Sequence, residues 1–234
     1  NAWLDKVKNR GYEFFVQMDI DHIPTPDYLD KTLGHFRDRK VGWVQAPSVY
    51  SNLDGWISRA SAEQELGFHG PIQMALYGNL AAPVIVGSHT TFRMKAVEEM
   101  KGFQPTRAED HLNTLVMMNN GWNGVFLPEV IAEGDGPETL SAYLSQQYAW
   151  AFSLTQILKT YSYRNLKHLS LKRRLHYIFL ETWYPLWSLS YLILFSVPVI
   201  GLVLNTYAID SESGAFLTRF VPAFMASLLV WWAS

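Results

Sequence analysis

The chain has 234 residues, of which 49% are hydrophobic and 15% aromatic, which predicts one sizeable core or two small ones and excludes a disordered chain. Its formal net charge of −2 provides no basic field for holding nucleic acid, so no nucleic-acid partner is expected. The sequence contains no cysteine, which excludes disulfides, zinc–thiolate sites and thiol nucleophiles, so any metal must bind through oxygen or imidazole.

Short apolar runs of strand length alternate with helical segments up to about residue 150. Strands that alternate with helices predict an α/β domain with a largely parallel sheet. The predicted strands are Phe14 to Met18, Val41 to Gln45, Pro83 to Val86 and Gly124 to Leu127, and the predicted helices are Pro26 to Arg37, Trp56 to Leu66, Lys95 to Met100 and Asp110 to Asn119.

The second half of the chain is apolar and predicts membrane insertion. No Asp, Glu, Lys or Arg occurs from Thr182 to Ala208, and a bilayer core needs only about 20 apolar residues. We predict a transmembrane helix here, with a buried core helix as the alternative. A second apolar stretch, Phe220 to Ser234, predicts a truncated second span. Because the chain also starts at Asn1 without Met, we expect a piece of a larger protein.

Basic residues flank only one side of the predicted span. The loop that follows it, residues 207–216, has no Lys or Arg, so the positive-inside rule predicts a multi-pass protein of the plasma (inner) membrane with a cytoplasmic α/β domain. The segment from Tyr148 to Tyr163 carries few charges and suits a helix at the membrane interface, or else a plain linker helix. The basic residues before the span are Arg164, Lys167, Lys172, Arg173 and Arg174.

Two aspartates follow the first predicted strand. Asp19 and Asp21 are two residues apart in the stretch "MDIDH", and functional groups gather at the carboxyl ends of strands in open α/β sheets. Such a pair can hold a hard divalent cation whose shell a diphosphate completes. The alternative is a turn that caps the next helix, as Asp27 and the nearby prolines indicate.

A second acidic group begins a predicted helix. Glu109, Asp110 and His111 lie in "RAEDH", and acids are favourable near the amide dipoles of a helix N-terminus. Capping alone explains one acid. Two adjacent acids followed by histidine also suit a general base, because a carboxylate close to a reacting hydroxyl can take its proton.

A third group precedes the predicted interfacial helix. Trp150 offers an aromatic face of the kind that sugar rings pack against, and Gln146 and Gln147 offer amide donors and acceptors. An aromatic anchor at the membrane interface is the alternative for Trp150.

The order of these elements resembles the processive membrane family 2 glycosyltransferases, which comprise cellulose synthases and their hyaluronan and chitin synthase relatives. "MDIDH" resembles the Asp-x-Asp of that family, "RAEDH" its Glu-Asp motif, "VIVGSHTTFR" its Gly-Ser segment and "SQQYAW" its terminal QxxRW. The resemblance implies a Rossmann-like GT-A catalytic domain followed by interfacial amphipathic helices and transmembrane α-helices. It divides the chain into a partial catalytic domain at 1–149, interfacial helices at 150–178 and transmembrane helices at 179–234.

The resemblance also implies roles for single residues. Asp110 would be the catalytic base, and Asp21 with Asp19 would bind Mg²⁺ or Mn²⁺. The substrate-binding residues would be Asp19, Gly87, Ser88, Glu109, Gln146 and Trp150.

The sequence departs from the family pattern in two places. Ala149 replaces the arginine of QxxRW, so an expected contact to the diphosphate is missing. The uracil-contacting aspartate and the lysine-glycine-asparagine segment of the family would precede Asn1, and later membrane helices would follow the chain.

The expected function is therefore inverting transfer of a sugar from a UDP-sugar to a growing β-linked glycan, by default a cellulose-like β-glucan, with export across the lipid bilayer. Accessory synthase subunits are the other expected partners. One alternative is a non-processive membrane glycosyltransferase that acts on a lipid acceptor. The other, suggested by Ala149, is a non-catalytic membrane subunit of a synthase complex.

Overall fold

A computed structural model describes residues 2–7, 10–204 and 213–233. The chain divides into two compact units, Asn1–Pro185 and Leu186–Ser234. The strands are β1 Phe14–Gln17, β2 Ile23–Pro24, β3 Val41–Gln45, β4 Thr90–Arg93, β5 Asn123–Phe126 and β6 Ala132–Glu133. The α-helices are α1 Ala2–Val7, α2 Tyr28–Leu33, α3 Trp56–Gly67, α4 Gln73–Leu80, α5 Met94–Glu99, α6 Glu109–Asn119, α7 Leu140–Ile157, α8 Tyr163–Leu166, α9 Leu171–Leu204 and α10 Ser213–Ala233.

A four-stranded sheet with the order β1-β4-β3-β5 forms the centre of the first unit. β4 pairs antiparallel with both β1 and β3, and β3 pairs parallel with β5. The prediction of a largely parallel sheet is therefore wrong for the described residues. The reason is β4, whose sequence "TTFR" lies outside every predicted strand and enters the sheet between two strands that run the other way.

The predicted strand Pro83 to Val86 is also wrong, because this segment joins no ladder in the described structure. Its backbone amides bond to buried side chains instead. Val84 N donates to Gln73 Oε1 at 2.8 Å, Ile85 N to Thr114 Oγ1 at 2.8 Å and Val86 N to Gln45 Oε1 at 3.0 Å. Apolar side chains are buried here as in a strand, and the sequence pattern does not distinguish the two ways of satisfying the backbone.

The other predicted elements of the first unit are confirmed with small shifts at their ends. β3 has the predicted bounds, α3 begins at Trp56 as predicted, and α6 begins one residue early, at Glu109. The predicted helix from Pro26 to Arg37 is shorter, because α2 begins at Tyr28 and its last turn, Gly34–Arg37, is a 3₁₀ helix.

The core of this unit packs helices against the sheet. Trp43 on β3 and Phe92 on β4 are fully buried, in a cluster that also contains Leu112 and Leu115 of α6. Gly124 on β5 is required for this packing, because a Cβ there would overlap the Trp43 ring. The core therefore fixes the start of α6 relative to the sheet, and α6 begins with the acidic pair.

The helix α9 contains the predicted transmembrane segment up to Leu204. Among the described helices it is the one long and apolar enough to cross a membrane. Its most apolar window is not buried in the protein, which disfavours the alternative of a core helix. The second predicted span falls within α10, of which Gly214–Ala226 is a shorter apolar helix. The rest of that span, at residue 234, and residues 205–208 lie outside the described residues.

Candidate active site

The end of β1 and the segment before β4 meet through a hydrogen bond. The backbone N–H of Asp19 donates to Ser88 Oγ at 3.0 Å, and Ser88 is buried. The sequence places these residues far apart, and the antiparallel pairing of β1 with β4 brings them together. Asp19 and Ser88, two of the predicted substrate-binding residues, are therefore in direct contact.

A buried pair of histidines, His22 and His89, lies next to this hydrogen bond. His22 Nδ1 lies 2.5 Å from His89 Nε2, and His89 Nδ1 donates to the carbonyl oxygen of Pro47 at 2.7 Å. That bond leaves Nε2 of His89 as the acceptor for His22 Nδ1–H. Burial lowers the pKa of His89 to about 4, so His89 is neutral at physiological pH. Gly134 packs so closely on His22 that a Cβ there would overlap the ring.

The carboxylate of Asp110 lies against Gly87. A Cβ on Gly87 would be 3.4 Å from Asp110 Oδ2, and Gly87 has a φ of +80°, a region that favours glycine. Asp110 Oδ1 accepts a hydrogen bond from the backbone N–H of His111 at 2.7 Å. The start of α6 thereby places the predicted base beside the Gly-Ser segment.

Both acids at the start of α6 hold their protons more tightly than usual. Burial raises the pKa of Asp110 to about 6, with Glu109 adding to the rise and the His111 amide opposing it. Burial also raises the pKa of Glu109, and the nearby Asp19 adds to that rise. A carboxyl group with a pKa near neutrality is suited to exchange a proton during catalysis.

The first acid pair suits a divalent cation. Burial raises the pKa of Asp19, and repulsion from Asp21 adds to the rise while His22 opposes it. Asp21 is exposed, so its oxygens are open to a ligand. No group of three or more His, Asp or Glu side chains that could hold a metal occurs among the described residues. A cation bound by these two carboxylates would therefore need its other ligands from substrate oxygens.

The predicted glutamine and tryptophan lie on α7. Gln146 Nε2 is 3.5 Å from the hydroxyl of Tyr50, whose ring packs on Gly136. Burial raises the pKa of Tyr50 to about 12, with smaller contributions from Glu65 and Asp19. Tyr50 therefore links Gln146 to the surroundings of Asp19. Trp150 follows Gln146 by one helical turn, on the same face of α7.

Ala149 leaves this part of the site without the positively charged arginine side chain that the QxxRW motif would provide. Its carbonyl oxygen accepts a hydrogen bond from Ser153 Oγ at 2.7 Å within α7, and its side chain has no charge to offer. The structure therefore brings together the acidic motifs and the Gly-Ser segment, and it ties Gln146 to them through a residue that the sequence did not indicate.

Three residues in or near the candidate site, Tyr50, His89 and Glu181, were not predicted from the sequence. Tyr50 and His89 carried no recognisable signal, because lone aromatic residues at strand ends are common. Glu181 did carry one: it is the last acid before the charge-free segment that begins at Thr182, and an acid within an apolar helix is often functional. Its surroundings are described below.

Several known proteins are similar to this chain. The family model "Glycosyl transferase family group 2" matches residues 14–234. The chain is 26% identical over 161 residues to a UDP-forming cellulose synthase catalytic protein of Dictyostelium discoideum, and 30% identical over 182 residues to one of Komagataeibacter sucrofermentans. These matches cover 67% and 74% of this chain but only 15% and 24% of the relatives, so the chain spans a quarter or less of their length.

The fold is also that of a solved glycosyltransferase. The structure of the mannosyltransferase PcManGT from Pyrobaculum calidifontis in complex with GDP-Man and Mn²⁺ superposes with a TM-score of 0.61 over 94% of this chain and 58% of that one, at 19% identity. The expected GT-A fold of mixed α/β type is thereby confirmed. With a family model that matches nearly its whole length, the chain belongs to glycosyl transferase family group 2.

Proposed function

We propose that the chain is part of a membrane-bound, inverting glycosyltransferase that transfers a sugar from a UDP-sugar to the end of a growing β-linked glycan. A cellulose-like β-glucan is the product proposed first, because both curated relatives are UDP-forming cellulose synthase catalytic proteins. The single observation that supports the proposal most is the placement of Asp110 beside Gly87 and Ser88, with Ser88 bonded to Asp19.

This placement suits a single displacement at the anomeric carbon. Asp19 contacts the nucleotide-sugar on one side of the Gly-Ser segment, and Asp110 faces the acceptor hydroxyl on the other. Because its pKa is about 6, Asp110 is mostly ionised at neutral pH and yet basic enough to take the hydroxyl proton as the new bond forms. Glu109 lies beside it to contact the acceptor, and Trp150 provides a stacking face for a sugar ring.

Asp21 and Asp19 would hold Mg²⁺ or Mn²⁺. When bound, the cation neutralises negative charge that develops on the departing diphosphate, which is a large contribution in such transfers. The mannosyltransferase of similar fold was solved with Mn²⁺. Ala149 leaves more of this neutralisation to the cation, because it provides no guanidinium.

The proposal includes coupling of synthesis to export. The helix α9 starts in the catalytic unit and includes the candidate membrane span, which supports a membrane enzyme with a cytoplasmic active site. Multiple spans, the interfacial position of residues 150–178, the lipid contacts and accessory subunits are parts of the same proposal.

The test uses the full-length protein in detergent or nanodiscs. Nucleotide release is measured with a panel of UDP-sugars, and with GDP-mannose, in the presence of Mg²⁺ or Mn²⁺, and labelled products are sized. Release with one UDP-sugar and a long, glycosidase-sensitive polymer supports the proposal. Short or lipid-linked products would instead assign the non-processive alternative.

The matched control is Asp110→Asn, which keeps the shape of the side chain. We expect this variant to lose transfer while retaining metal-dependent donor binding. Turnover by Asp110→Asn would overturn the assignment of the base. No release from any donor by the unmodified protein would identify Ala149 as the disabling difference.

A further inference from the structure

A carboxylate is fully buried behind the acidic motif of α6. Glu181 on α9 has no exposed surface, and the hydroxyl of Ser162 lies 2.7 Å from each of its carboxylate oxygens. Removing a carboxylate from water costs several kcal/mol unless a partner compensates its charge. A buried glutamate with only a hydroxyl for a partner would therefore be unfavourable.

His111 is the basic side chain that faces this carboxylate. Its Nε2 lies 3.8 Å from Glu181 Oε1, and it is the one basic side chain within ion-pair distance of Glu181 among the residues described. His111 is buried with its ring 5.1 Å from that of Tyr177, also on α9. Among the described residues, the Nε2 atom of His111 has no hydrogen-bond partner. The imidazole is thus held between α6 and α9, with its free nitrogen towards the carboxylate.

The backbone of the same histidine holds Asp110. His111 N–H donates to Asp110 Oδ1 at 2.7 Å. One turn later, Thr114 Oγ1 donates to the carbonyl oxygen of Asp110 at 3.0 Å and accepts from Ile85 N at 2.8 Å. The contacts of the His111 ring with α9 hold the first turn of α6 in place, and the amide in that turn orients the carboxylate of Asp110, which lies next to Gly87.

We infer that Glu181 is a positioning residue, which holds the carboxylate of Asp110 in place through His111. The inference rests on the proposed function, in which Asp110 is the base. It assigns to α9 a contribution to the chemistry: the last acid before the charge-free segment stabilises the acceptor side of the site. Donor binding by Asp19 and Asp21 does not involve this contact.

The test is the variant Glu181→Gln in the full-length protein. Glutamine keeps the size of the side chain and the bond to Ser162 but removes the charge opposite His111. We expect kcat to fall roughly tenfold, because small displacements of a base have large effects on rate, whereas KM for the donor stays within about twofold. Glu181→Asp, which keeps the charge, should restore most of kcat.

His111→Ala supplies the second arm. We expect it to lower kcat, and Glu181→Gln added to it should lower kcat no further, since both act through one contact. If the effects multiply in the double variant, or if Glu181→Gln leaves kcat unchanged, the inference is overturned. Should Glu181→Gln fail to fold, Ser162→Ala removes the hydroxyl that holds the Glu181 carboxylate opposite His111, and it should lower kcat with an unchanged donor KM.

Glu99→Gln is the matched control. Glu99 accepts a hydrogen bond from Trp122 Nε1 at 2.8 Å, so the control removes a structural carboxylate away from the site and should leave kcat unchanged. The variant Asp110→Asn distinguishes a failure of the proposed function from a failure of the inference about Glu181. Turnover by that variant overturns the proposed function, whereas an inactive Asp110→Asn together with an unaffected Glu181→Gln overturns only the present inference.

Discussion

The carboxylate of Asp110 lies next to the backbone of Gly87, at the distance that a methyl group would fill: the position that a Cβ on Gly87 would occupy is 3.4 Å from Asp110 Oδ2. Neither residue is free to change. Gly87 has a φ of +80°, which L side chains rarely adopt, and Asp110 is fixed by the first turn of α6. The space between them is therefore defined by backbone geometry.

Gly87→Ala should lower the rate of transfer. The backbone strain costs roughly 1 kcal/mol, and the added methyl group enters the space in front of Asp110, so we expect kcat to fall about tenfold. Steady-state kinetics measures this effect. Gly121→Ala is the control, because Gly121 has a φ of +85° and no neighbour near its Cβ position. It should lose similar stability with no change in kcat, and an equal loss of kcat in both variants would contradict the prediction.

The rate of transfer should depend on pH through Asp110. The base must be ionised to accept a proton, and its pKa is raised by burial to about 6. The ratio kcat/KM, which reports ionisation of the free enzyme, should therefore rise with pH and be half-maximal near pH 6, with a plateau above neutrality. A pH–rate profile with a constant metal concentration measures this. A flat profile from pH 5 to pH 8 would show that the ionisation of Asp110 does not limit transfer.

Asp110→Asn should stabilise the protein while it abolishes transfer. A carboxyl group whose pKa is raised on folding, here from 3.8 to about 6, destabilises the folded state once the pH exceeds both values. The penalty is on the order of 3 kcal/mol, and it is absent below pH 3.8. The apparent melting temperature of the variant should exceed that of the unmodified protein at pH 7.5, and the difference should shrink as the pH falls through 6. An equal or lower melting temperature at pH 7.5 would contradict this expectation.

Ser88→Ala should weaken donor binding. It removes the acceptor for the backbone N–H of Asp19, at a cost of about 1 kcal/mol, or roughly fivefold in affinity. Titration of the nucleotide-sugar in the presence of Mn²⁺ measures this. Ser58→Ala is the control, because Ser58 is equally buried and its hydroxyl donates to Gly55 O at 3.0 Å in another part of the unit. Equal affinities for both variants would show that the Ser88 contact does not position Asp19.

The sequence predicted the local elements better than their pairing. β3 and α3 could be recognised because their apolar residues have the period of a strand or the turn signals of a helix. β4 could not, because "TTFR" is short and half polar, and its burial depends on neighbours from distant parts of the chain. The wrong prediction of a largely parallel sheet followed from missing this one strand.

The residues of the candidate site likewise fall into those that the sequence predicted and those that it did not. Asp19 and Asp110 could be selected because acids at a strand end and at a helix start have a local chemical reason to be there. The histidine pair of His22 and His89 could not, since it forms only when the strands are in register. Tyr50 and Glu181 act through contacts with side chains that lie far away in the sequence. The position of Glu181 before the charge-free segment is a local signal, but it does not indicate that His111 is the residue it contacts.

The segment from Pro83 to Val86 has a consequence for motion. Its three amides bond to side chains of Gln73, Thr114 and Gln45, and it leads directly into Gly87 and Ser88. Amides held in this way exchange their hydrogens with solvent when a side chain rotates, without any ladder opening. A movement of this segment would therefore leave the ladders of the sheet intact, and deuterium uptake at these amides would detect it.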